Sequence, residues 1–221
     1  MKKNILSINK LDFLISLYIF CIIVSEIMGG KTFPILALPF TTLNGSVALF
    51  LLPLVFTIND VITEVYGAER TRSVVRSGLL MVFFLSLFSL LATSLPPSSR
   101  FKTSENAYDL IFKQSARISF ASLLAFGIAD FMDVAIFVQM REKFGKKALW
   151  LRTNVSNFVS EFFDTFIFMT LAFYELGQPF HANVAFLISL ILPYWFLKCC
   201  MSVIETPLVY LGIKWLKEKE S

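Results

Sequence analysis

One histidine, three cysteines and nine glycines are spread through 221 residues, and each scarcity removes a class of chemistry. The lone His181 lies in the short stretch ELGQPFHAN (175–183), so Ser-His or Cys-His catalysis and a histidine-based zinc site have nothing to build on. Cys21, Cys199 and Cys200 fall within apolar runs, lack metal-site spacing and read as small apolar filler. The glycines are scattered and form no phosphate-cradling loop. Two intramembrane aspartates can share a proton as a hydrolytic dyad, but the glycine-flanked context of such pairs is missing. No catalytic residue, metal or cofactor is expected. Charge is missing as well: no residue between Arg76 and Arg100 carries one, a stretch longer than the ~20 residues needed to cross a bilayer core.

What is present is apolar. Hydrophobic residues make up 56% of the chain and 25 residues are phenylalanine, against roughly 45–50% apolar content in an ordinary soluble domain. The composition indicates an all-α integral membrane protein. The apolar run from Leu11 to Met28, behind Lys2, Lys3 and Lys10, has no small-residue cleavage site ahead of a polar region, so it is kept as the first span. Apolar runs set against breakers give six transmembrane helices, about 11–29, 45–66, 74–95, 115–140, 154–174 and 183–212. Their connections are short, which predicts a single membrane domain over residues 1–221. Between the first two spans, Pro34 and Pro39 in KTFPILALPFTTLNG (31–45) argue against a helix and for a re-entrant or extended segment lying in protein.

Lys and Arg alternate by side. Lys2, Lys3, Lys10, Arg70, Arg72, Arg76, Arg141, Lys143, Lys146, Lys147, Arg152, Lys214, Lys217 and Lys219 fall on one side. Only Lys31, Arg100, Lys102, Lys113 and Arg117 fall on the other. The positive-inside bias puts both termini in the cytoplasm (N-in/C-in), in agreement with an even number of spans. It also accounts for the basic balance through anionic lipid headgroups, with no nucleic acid involved.

The acids are in unexpected places. Glu26, Asp60, Glu64, Asp130, Asp133, Glu161, Asp164 and Glu205 fall in the spans or at their ends. A charge at mid-bilayer costs about 2.5–3.5 kcal/mol on insertion scales, so such groups usually face a bundle interior, a partner or a water-filled cavity. Asp60 and Glu64 are four apart, while Asp130 and Asp133, and Glu161 and Asp164, are three apart, so each pair shares a helix face. The stripe in the fifth span runs Asn154, Asn157, Glu161, Asp164, leaving Phe158, Phe162, Phe163 and Phe166 toward lipid. That in the second span runs Phe56, Asn59, Asp60, Thr63, Glu64. Interface salt bridges to Arg70, Arg72, Arg141 or Arg152 are the structural alternative for single acids. Lys198 and Glu205, seven apart, read as a structural ion pair, and Glu26 reads equally as a helix-end residue or a site residue. Three carboxylate pairs against one intramembrane cation are better explained by a polar cavity. Paired acids in the middle members of two three-span halves hint at a 3+3 arrangement, common where a transporter has its site near the midplane.

The motifs LLPLVFTINDVITEVYG (51–67), ERTRSVVRSG (69–78), AFGIADFMDVAIF (125–137) and LWLRTNVSNFVSEFFDTFIF (149–168) together resemble the queuosine precursor transporter family of bacterial membrane proteins, also called the vitamin uptake transporter family. The resemblance runs in order along essentially the whole chain. It implies a six-helix, multi-pass protein of the bacterial inner (plasma) membrane that imports 7-deazaguanine bases for tRNA modification: the cyano or aminomethyl precursors, or queuine. By position, the family's signatures fall on Asp60, Glu64, Asp130, Asp133, Asp164, Arg152 and Asn154. The family pattern implies an amide where this chain has Glu161 and often a Thr where it has Asn59, and those departures leave open which deazaguanine is carried.

The implied cargo suits these residue types. A purine-like small molecule of this kind presents N1–H and an exocyclic amine side by side, and one carboxylate accepts both. Its carbonyl needs a donor such as Asn154, Asn157 or Arg152. Its flat face needs an aromatic, with Phe56, Phe137 and Trp195 as candidates; stacking is worth about 1–3 kcal/mol. A second carboxylate would pair an ammonium or carry a coupling proton. The expected site is therefore Phe56, Asp60, Glu64, Asp130, Asp133, Arg152, Asn154, Asn157, Glu161 and Asp164. The partners are the lipid bilayer, the substrate and, as energy sources, protons or a separate ATPase module. With that module the chain would be the substrate-binding subunit of a vitamin-type importer. A scaffold whose acids are all structural ion pairs is the reading from another class.

Overall fold

Asn9 opens the first helix: its side-chain oxygen accepts from the backbone N–H of Leu11 at 2.9 Å and Asp12 at 3.3 Å, two donors the helix itself leaves unpaired. The computed structural model describes residues 8–37, 39, 42–144, 149–204 and 206–217. Within these, the side chains of residues 130, 131, 133–135, 137, 138, 140–144, 149–157, 201–204 and 206 lie outside the description. The helical stretches are α1 (Lys10–Met28), α2 (Leu52–Tyr66), α3 (Ala68–Ser94), α4 (Glu105–Phe144), α5 (Leu149–Phe173), α6 (Phe180–Ile204) and α7 (Thr206–Lys217). Among the described residues, four helices are long and apolar enough to cross a membrane: Lys10–Met28, Val47–Tyr66, Ala68–Ser94 and Phe180–Cys200. This is a mostly helical membrane protein.

The proline-bearing segment after α1 is extended, because Pro34 cannot continue a helix. It forms an antiparallel hairpin of β1 (Thr32–Ala37) and β2 (Thr42–Ser46), with a register irregularity between Pro34 and Leu36. A single 3-10 turn, Val47–Phe50, then leads into α2. The hairpin is tied into the bundle by polar contacts. Asn44 donates to Ser189 Oγ of α6 at 2.9 Å, and the Tyr194 hydroxyl donates to the Ser46 carbonyl at 3.2 Å. Ser46 Oγ in turn donates to the Gly29 carbonyl at the end of α1, at 2.6 Å. Ser115 Oγ of α4 donates to the Ile27 carbonyl at 3.0 Å, fastening the same end of α1 from another side.

Two apolar clusters organise the bundle. The first joins Leu14 and Tyr18 of α1, Ile58, Val61 and Ile62 of α2 and Val74 of α3, with Val209, Ile213 and Leu216 of α7 packed against it. The second joins Ile118 and Ala121 of α4, Met169, Ala172 and Phe173 of α5, and Leu187, Leu190, Ile191 and Tyr194 of α6. The outside is greasier than the inside. Phe83, Phe84, Leu87, Phe88, Leu90 and Leu91 of α3 are exposed, while Ser86, Ser89, Ser115, Ser119, Ser160 and Thr165 are buried. That is the pattern of helices packing in lipid, where small and polar residues line the helix contacts.

Sequence-predicted limits shift where charges extend a helix beyond the bilayer. α3 begins at Ala68 and takes in Arg70, Arg72 and Arg76; α4 begins at Glu105 and takes in Asp109 and Lys113, which pair at 2.7 Å. At 40 residues, α4 is about 60 Å long, twice a hydrocarbon core. Arg117 leaves its own helix to donate to the carbonyls of Leu171 at 2.7 Å and Tyr174 at 2.6 Å, satisfying acceptors at the end of α5 that would otherwise lack a partner.

Candidate functional site

Between the two clusters lies a cavity of about 750 Å³. Every helix from α1 to α6 contributes to its wall. Tyr18, Ser25 and Glu26 come from α1, Phe56 and Asn59 from α2, and Leu79 and Val82 from α3. Ser122 and Phe126 come from α4, Phe158, Glu161, Asp164 and Thr165 from α5, and Tyr194, Lys198 and Cys199 from α6.

The charges in this wall are arranged unevenly. Lys198 Nζ bridges Glu161 Oε2 at 2.9 Å and Asp164 Oδ2, so one ammonium serves two carboxylates one turn apart on α5. The ammonium is the more deeply placed partner, 13% exposed against 37% for Glu161 and 25% for Asp164. Both carboxylate side chains are thus less buried than that of the lysine, although Glu161 Oε2 itself is buried. Across the cavity, Glu26 is 5% exposed, faced by the hydroxyls of Ser119 and Ser122 on α4. Its Oε2 has no hydrogen-bond partner among the described residues, and the same holds for Asn59 Oδ1 and Thr165 Oγ1. Native structures pair nearly all buried polar atoms. Three orphaned oxygens around one cavity thus mark a space suited to a ligand that brings donors.

The expected site residues divide into three sets. Phe56, Glu161 and Asp164 line the cavity. Asp60 and Glu64 do not: the cavity follows α2 from Leu52 through Val55 and Phe56 to Asn59, and the stripe continues past its end onto an exposed surface. Periodicity puts these residues on one face but does not say where along that face a cavity stops. The side chains of Asp130, Asp133, Arg152, Asn154 and Asn157 lie outside the described residues.

Other expectations also change. The ammonium of Lys198 reaches sideways to two carboxylates of α5; Glu205, expected as its structural partner, lies outside the described residues. Phe158, expected toward lipid, lines the cavity and packs on Trp195 at 4.5 Å between ring centroids. Trp195 donates its indole N–H to the Phe158 carbonyl at 3.2 Å and lines a smaller apolar recess outside the main cavity. Sequence reasoning left Glu26 undecided and did not select Tyr18, Asn59, Ser122 or Thr165 for the site. The usable signal was the serine spacing 115, 119, 122 on α4, a small polar stripe that faces Glu26.

Comparison with known proteins places this architecture in a family. Residues 46–212 match the family model described as "Putative vitamin uptake transporter". A "Probable queuosine precursor transporter" of Bacillus subtilis (strain 168) is 30% identical over 167 residues, 75% of this chain and 70% of that protein. A second protein of that name, from Haemophilus influenzae, is 28% identical over 133 residues, 59% of this chain and 53% of the relative. The "Queuosine precursor transporter" of Escherichia coli (strain K12) is 24% identical over 153 residues, 68% of this chain and 63% of the relative. No solved structure matches the chain. With the family model covering most of the chain, including the five full helices α2 to α6 and the first half of α7, this protein belongs to the vitamin uptake transporter family of membrane proteins.

Proposed function

We propose that this chain imports 7-deazaguanine precursors of queuosine across a bacterial inner membrane. The observation that carries the reading is the cavity: its volume falls in the roughly 300–1,000 Å³ range of small-molecule sites, and its wall combines carboxylates, orphaned acceptors and aromatic faces. The relatives' names, queuosine precursor transporters, support the class of cargo. In this reading Glu161 and Asp164 accept N–H groups of the base, and Phe56 and Phe158 offer stacking faces. Asp130, Asp133, Arg152, Asn154 and Asn157 continue the site along α4 and α5, with Asp60 and Glu64 at its cytoplasmic mouth. The chain acts as one membrane domain of six spans, as a carrier and not an enzyme, without cofactor or nucleic acid.

The geometry supports an even number of spans, because the start of α1 meets the end of α7. Lys10 Nζ donates to the Trp215 carbonyl at 2.8 Å, and Phe13 packs on the Trp215 ring at 6.1 Å. That contact supports the reading in which both termini share a side, the side that the Lys and Arg bias makes cytoplasmic.

Rescue of queuosine in tRNA tests the function, in cells that neither make nor import the base and are supplied with a trace of each deazaguanine. Expression of this chain is expected to restore the modification. No rescue with any of them, despite confirmed membrane expression, would overturn the assignment. Uptake that survives ATP depletion but fails when the proton gradient is collapsed identifies a proton-driven carrier; the reverse identifies a subunit energised by a separate ATPase.

A further inference from the structure

The cavity wall holds three carboxylates and one ammonium among the described residues: Glu26, Glu161 and Asp164 against Lys198. The ammonium is committed to the α5 pair. Glu26 stands apart from it, on α1 at the opposite wall. The groups presented to the cavity by the packed elements can be stated in full for the described residues. α1 adds only the Tyr18 phenol; α2, α3 and α4 add no charged or titratable side chain; α6 adds the Tyr194 phenol and the Cys199 thiol besides Lys198. Among the described residues Glu26 therefore meets hydroxyls, from Ser119 and Ser122, and no cation. Its Oε2 is buried without a partner. Asn59, also in the wall, is engaged with the Tyr18 hydroxyl, about 12 Å from the level of Glu26 along α1, and its Oδ1 is likewise without a partner.

A buried carboxyl oxygen with no partner and no counter-charge among the described residues describes the complement of a cationic, N–H-rich group. A neutral nitrile brings no donor and no charge, and would leave that oxygen as it is. A primary ammonium brings three donors and the missing charge, and charge-assisted bonds of this kind are about twice as strong as neutral ones. Resting on the transport reading above, we infer that Glu26 is a specificity-determining subsite that selects the positively charged aminomethyl deazaguanine over the neutral cyano compound. The Glu161, Asp164 and Lys198 cluster is left to the base edge common to both, so affinity for the shared ring and preference for its substituent are carried by opposite walls.

The purified full-length protein in lipid nanodiscs, titrated with each base and followed by its melting temperature, tests this. The aminomethyl base is expected to stabilise wild-type protein at concentrations at least tenfold lower than the cyano base. Glu26→Gln keeps the shape and removes the charge, and is expected to abolish most of that preference by weakening the aminomethyl base while leaving the cyano base within about twofold. Equal potency of the two bases on wild-type protein overturns the inference and leaves the transport reading intact. Stabilisation by neither base overturns both. Loss of both bases together in Glu26→Gln would show a general or proton-carrying role and overturn the inference. Should that variant not fold, the wild-type potency ratio decides alone.

Discussion

Lys198 shows how one residue can set the chemistry of an entire wall. It is the intramembrane cation legible in the sequence, and its ammonium reaches Glu161 and Asp164 of α5; Glu205, the partner the sequence offered, lies outside the described residues. Removing one member of a buried charge cluster is costly because the others remain charged. Lys198→Met is expected to destabilise the protein by about 2–3 kcal/mol, less than a fully buried pair would cost because its carboxylates are partly open to the cavity. The melting temperature in detergent should fall accordingly. Neutralising all three positions, Lys198→Met with Glu161→Gln and Asp164→Asn, is expected to recover most of that loss and still abolish uptake. An unchanged melting temperature in the single variant would show that the bridge contributes nothing to stability. The residue types at this site were legible from spacing alone, since Glu161 and Asp164 share a face at three apart. Which charge sits opposite them was not, because that depends on how α5 and α6 are rotated and staggered, and no periodicity within one helix encodes it.

At the level of elements, close approach is set by what is absent. Gly212 of α7 lies where an added Cβ would come within 2.6 Å of Val61 Cγ2 on α2, so the two helices pack only because this position has no side chain. Val61 is itself buried in the α1/α2/α3 cluster and has little room to move. Gly212→Ala is expected to cost about 1–3 kcal/mol by overpacking, and Val61→Ala in the same chain should recover part of it. Additive losses in the double variant, measured by thermal unfolding, would rule out the clash. Gly67 differs: it joins α2 to α3 at φ 85°, a left-handed conformation that a β-carbon disfavours. The helices themselves were legible in the sequence because lipid demands long apolar runs. The hairpin was legible only as an extended segment. Its pairing rests on Asn44, Ser46 and their contacts on α1 and α6, which are far away in the chain.

For the molecule as a whole, two apolar clusters flank a cavity of about 750 Å³ whose wall carries polar and charged side chains. Cys199 reports on that space without any engineered probe in the wall. It lines the cavity, whereas Cys21 is fully buried in α1. A small membrane-permeant maleimide should alkylate Cys199 in native protein and leave Cys21 untouched, with the substrate slowing the reaction severalfold, as read by mass spectrometry of the α6 peptide. Modification at the same rate with and without saturating substrate would place the ligand elsewhere. The end of α1 has a further part in this arrangement. It is fastened to α4 through Ser115 and, by way of Ser46, to Tyr194 of α6. Ser46 is small, buried and held from both sides, one bond through its side chain and one through its backbone. The two helix groups cannot be pulled apart there without breaking both bonds, but they can pivot about them. The hairpin thus gives the bundle a fulcrum, and the amplitude of any rocking must grow with distance from it, toward the end where the start of α1 meets Trp215 of α7.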